Sequence, residues 1–148
     1  MKVLVTSGLA YMAASLSVVL CMIGASVLLR GWGSAMPITN QRVAGHVFLQ
    51  QMYSDSYFPD HVVDKGGAIL LRLCERIEAE QPSNLNALYA LTHAATEEFN
   101  SLEAEFAAAG SEIETVAREV IAENFWFVAS AYGFTDADVE KLIATREW

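Results

Sequence analysis

The sequence predicts an all-α protein, a compact bundle of about five helices preceded by an apolar N-terminal helix. Three observations predict it. Apolar residues recur three and four positions apart through most of the chain after Met36. Capping residues open these stretches, and glycines or prolines close them. No stretch alternates convincingly with period two, and no hairpin signal appears.

The first element is the apolar segment of residues 1–35. Val3 to Leu29 holds no charged residue, and a run of that length can cross a bilayer core of about 30 Å as a helix. Three readings stand. The segment is a membrane anchor, or a signal peptide cleaved after the small residues Gly33-Ser34-Ala35, or it lies upstream of a true start at Met36. Any contact with a membrane therefore goes through residues 1–35. The chain is membrane-anchored if they are genuine and retained, and cytoplasmic if synthesis starts at Met36. The segment is expected not to join the core of the domain that follows, because a helix apolar all round would leave a large greasy surface in water.

Residues 36–148 form the second unit, an acidic helical domain. Asn40 is placed to cap a first helix carrying Val43, Val47, Phe48, Met52 and Tyr53. "YSDSYFPD" then breaks the chain. A second helix is expected from Asp60 to about Glu80, with Val62, Val63, Ile69, Leu70, Leu73, Cys74 and Ile77 on its apolar face. Gly66-Gly67 lies inside it at a cost of about 1 kcal/mol per glycine relative to alanine, which a kink or a close helix crossing would explain. After "QPSN", Ser83 or Asn84 starts a third helix with the stripe Leu85, Leu88, Tyr89, Thr92, Ala95, Phe99, Leu102 and Phe106, stopped by Gly110.

Ser111 and Glu114 have the spacing of a capping box for a fourth helix. One face of that helix carries Ile113, Val116, Ala117, Val120, Ile121, Phe127, Val128 and Ala131. Ala122, Trp126 and Ala129 make a second apolar strip, so the helix is expected to be central and Trp126 to be buried. Gly133 ends it. Thr135 and Asp138 then cap a short last helix with Val139, Leu142 and Ile143.

Charge narrows the partners. Of nine bases, only Lys2 and Arg30 precede Met36, and none of the 18 acids does, so the domain carries a formal charge of −11. Such a surface repels nucleic-acid phosphates and anionic headgroups and attracts a basic protein. Cys21 and Cys74 do not suit a disulfide with each other; Cys74 reads as a small core residue.

Chemistry-bearing patterns are few. There is no phosphate-cradling glycine loop, no Gly-x-Ser-x-Gly elbow, no His-Glu-x-x-His helix and no calcium-loop spacing around Asp55, Asp60 and Asp64. His93 and Glu97 stand one helical turn apart, as a metal-sharing or base–orienter pair would. A capped or salt-bridged helix face is the plainer explanation. Glu119 and Glu123 repeat that spacing, but no Glu-x-x-His motif of di-iron bundles is present. Accordingly, no metal and no cofactor is assigned. The second candidate is the loop of Tyr53, Asp55, Tyr57 and Phe58, where aromatics surround an acid; aromatics that pin the loop to the core would look the same. His46 and His61 read as ordinary helix residues.

Four blocks, "VFLQQMYSDSYFPDHVVDK", "LLRLCERIEAEQPSNLNALYALTHAATEEFN", "GSEIETVAREVIAENFWFVASAYGF" and "ATREW", together resemble a family of small bacterial proteins of unknown function. The resemblance covers nearly all of Met36 to Trp148 and leaves residues 1–35 outside. It implies a compact helical protein and carries no reaction with it. The function expected from the residues is a non-enzymatic interaction or regulatory module with an unidentified, basic protein partner. The alternative is a small metal-dependent enzyme or hydrolase using His93 and Glu97.

Overall fold

The computed structural model describes residues 37–148. The apolar segment, and with it the expectation that it stays out of the core, lies outside the described residues. Among these, six helices and no strand are found: α1 (Gln41–Ala44), α2 (Gln50–Tyr53), α3 (Asp60–Glu80), α4 (Leu85–Ala108), α5 (Thr115–Ala131) and α6 (Val139–Leu142). The all-α bundle predicted from periodicity is the fold. None of these helices is long and apolar enough to cross a membrane.

α3 and α4 form the broadest helix pair, joined through the short link 81–84. α3 buries Val62, Val63, Ile69, Leu70, Leu73, Cys74 and Ile77, the face read from the sequence. α4 buries Leu88, Thr92, Ala95, Phe99, Leu102 and Phe106, capped by the Asn84 side chain on the Ala87 amide at 2.9 Å. α5 closes the core, with the Phe125 ring 5.8 Å from that of Phe99. Each fully buried Phe or Leu contributes about 1.5–3 kcal/mol.

The first expected helix is two. Asn40 does cap α1, accepting from the amides of Arg42 and Val43. The helix stops at Gly45 and restarts after Leu49, which sits in the left-handed region at φ 57°. One continuous helix would turn Val43 and Val47 to the same side. The break instead sends Val43, Phe48, Leu49 and Met52 inward and leaves Val47 57% exposed.

Both expected capping boxes are absent. At the end of α4 the Gly110 amide bonds the Ala107 carbonyl and the Ser111 amide bonds that of Phe106, with Gly110 at φ +79°. This is the paired C-terminal closure that favours glycine. Ser111 thus belongs to the end of α4, its hydroxyl is buried without a partner, and α5 begins only at Thr115. Gly133 and Phe134 close α5 by the same two bonds, to Ser130 and Ala129. Asp138, not Thr135, then caps α6 through the amides of Glu140 and Lys141.

Candidate functional site

α5 decides which residues face solvent. Its buried positions are Ala117, Val120, Ile121, Asn124, Phe125, Val128 and Ala129, a stripe repeating at three and four residues, with Ser130 at its C-terminal end. The opposite side carries Val116, Glu119, Glu123 and Trp126, all exposed. Trp126, expected in the core, is 42% exposed. The two apolar strips do not both find a partner. Ala129 belongs to the core stripe, Ala122 is half-buried, and the indole is left at the rim. Phe125, absent from the expected faces, fills the place beside Phe99. Its spacing of four from Ile121 was the available signal.

Trp126 stands between two clefts. One, of about 390 Å³, includes His46, Val47, Asn124 and Phe127 in its lining. The other, of about 400 Å³, is lined by Glu119, Ala122, Glu123 and Val139; Trp126 borders both. The first cleft has a fixed wall. The His46 ring stacks on Phe127 with centroids 3.8 Å apart. The Asn124 Oδ1 atom accepts the Leu49 amide at 3.3 Å, and its Nδ2 donates to the Val120 carbonyl at 2.7 Å. That fixes the amide orientation, so His46 Nε2, 3.2 Å from the same oxygen, carries the proton and donates it. His46 therefore leaves the helical pattern to build a wall, a role with no local sequence signal.

The residues singled out from the sequence have structural partners. Tyr53 Oη donates to Asp64 Oδ1 at 2.6 Å. Desolvation, then this bond and the charge of Asp64, push its hydroxyl up to about 12. Asp55 Oδ1 accepts the Tyr57 amide at 2.9 Å. Phe58 is 3% exposed and packs edge-on against Phe106, with Tyr57 edge-on to it in turn. Phe58 thus pins this loop, while Tyr53 and Tyr57 stay at the surface. His93 Nε2 donates to the Lys141 carbonyl at 2.7 Å, and Glu97 accepts from Asn100 at 3.2 Å. Asn100 also holds the Thr145 carbonyl and the Glu147 amide, and Thr145 Oγ1 bonds the His93 carbonyl at 3.3 Å. The pair thus lies where the C-terminal segment docks on α4. Among the described residues, no three His, Cys, Asp or Glu side chains group as metal ligands would.

A third cleft, of about 640 Å³, is bordered by Glu78 and Tyr132. The Glu78 carboxylate accepts from the amides of Thr39 and Asn40, the Thr39 hydroxyl and, at 2.8 Å, the Tyr132 hydroxyl. Desolvation raises its pKa, but the donors from Thr39, Tyr132 and Asn40 outweigh it and hold the carboxyl below its usual range. Burial pushes the neighbouring Cys74 thiol up to about 12. With its oxygens engaged, Glu78 is a latch that ties the chain before α1 to α3 and to the end of α5.

A family model described as "Family of unknown function (DUF5713)" matches residues 42–148. The chain belongs to this family. The DUF5713 match contains all six helices but for the first residue of α1, and every residue lining the two clefts beside Trp126. No curated protein and no solved structure matches the chain.

Proposed function

We propose that this DUF5713 protein is a non-enzymatic interaction module that docks a basic protein on the α5 face around Trp126. One observation carries the reading. A tryptophan that periodicity would have placed in the core stands 42% exposed between two clefts. Large aromatics at the edge of a pocket are the side chains most often found to dominate protein–protein binding. Val47, 57% exposed, adds apolar surface to the lining of the first cleft beside it. Glu119 and Glu123 supply a negative rim, and the formal charge of −9 steers a cationic partner toward it. No observation favours the rival enzyme reading: the His93 ring is taken by the Lys141 carbonyl, and the Glu97 carboxylate accepts from Asn100 of its own helix.

The test is affinity capture from an extract of the source cells with the full chain and its Trp126→Ala variant, matched for helicity by circular dichroism. A basic protein retained by the wild type and lost with the variant is the expected result. Identical capture by both, or none, removes the reading.

A further inference from the structure

We infer that the cleft between Trp126 and the Glu119–Glu123 pair receives an arginine side chain of the basic partner, an assignment that rests on the interaction reading above. Glu119 and Glu123 are exposed one turn apart, and neither is in an ion pair among the described residues. Trp126 follows three residues later and lines the same cleft, with Ala122 and Val139 as its apolar walls. Neither Arg118 nor Lys141 borders it. About 400 Å³ is room for a long side chain. A guanidinium matches this lining. It is planar and weakly hydrated, it stacks on an indole face, and its fork of N–H donors meets carboxylates. An ammonium offers a more strongly hydrated point charge, and a neutral side chain leaves two carboxylates unmatched.

The experiment is calorimetric titration of the full chain with three blocked glycine peptides carrying two arginines, two lysines or two citrullines. Saturable binding is expected for the arginine peptide, weaker binding for lysine and none for citrulline, the neutral isostere. The Glu119→Gln/Glu123→Gln double variant should weaken arginine-peptide binding about tenfold, and Trp126→Ala by a similar factor. Glu103→Gln/Glu112→Gln removes the same two charges from exposed carboxylates outside the clefts and should change affinity less than about twofold. Equal losses in the two double variants, equal binding of the citrulline peptide, or no saturable arginine binding would each overturn the inference. Trp126-dependent capture of a partner alongside any of these leaves the interaction module standing and discards only the guanidinium. Capture that ignores Trp126 discards the module itself.

Discussion

A Cβ atom on Gly66 would stand 2.8 Å from Leu49 Cδ1 and 3.1 Å from Phe99 Cε1. The missing side chain lets the left-handed Leu49 turn seat its methyl groups against α3. At Gly67, one position on, an added Cβ meets nothing within 4 Å. The two glycines should therefore respond oppositely to alanine. Gly67→Ala is expected to stabilise by about 0.4–1 kcal/mol through backbone entropy and helix propensity. Gly66→Ala should lose that gain to overpacking and destabilise by about 1–3 kcal/mol. Urea midpoints of the two variants check this; equal shifts would show that Leu49 and Phe99 yield freely.

Phe125 and Trp126 should separate just as sharply. Phe125 is fully buried against Phe99, so Phe125→Ala is expected to cost about 3–5 kcal/mol. Trp126→Ala should cost about 1 kcal/mol or less, as a substitution at the protein's rim does. Denaturant titration measures both, and a large loss at Trp126 would return it to the core.

Stability should fall on acidification through the Glu78 latch. Its carboxyl is held below the usual range in the folded protein, so the stability it contributes is fully present above the unfolded value of about 4.3 and is lost as pH falls through the folded value. Glu78→Gln should be less stable than the wild type at neutral pH and show a flatter acid limb. Thermal unfolding of both proteins from pH 7 down to about pH 3 reads this out; parallel pH profiles would assign the acid sensitivity elsewhere.

The C-terminal segment should be part of the core. Trp148 is 5% exposed, and the residues before it are tied to His93 and Asn100 on α4. Ending the chain at Glu147 should destabilise by about 3–5 kcal/mol, the loss expected for a packed Trp. His93→Ala, which frees one bond to the Lys141 carbonyl, should cost about 0.5–1.5 kcal/mol. Unchanged unfolding midpoints would refute both.

The sequence by itself determined the helical class, the extents of α3 and α4 to within a residue or two, the Asn40 cap and the stops at Gly110 and Gly133; the structure chose Asn84 over Ser83 as the cap of α4. These depend on residues within a turn or two of each other, where periodicity and capping act directly. Tertiary structure decided the rest. The break after α1 exists because Phe48, Leu49 and Met52 must reach a core already bounded by α3 and α5. Ser111 left its capping box because the closure of α4 took its amide. Trp126 faces water because α5 has packing partners on one side, and a helix pattern alone does not reveal how many neighbours a helix has. His46 became part of a cleft wall through Phe127 and Asn124, which lie more than seventy residues away in the chain and reach it only when α5 packs beside the link between α1 and α2.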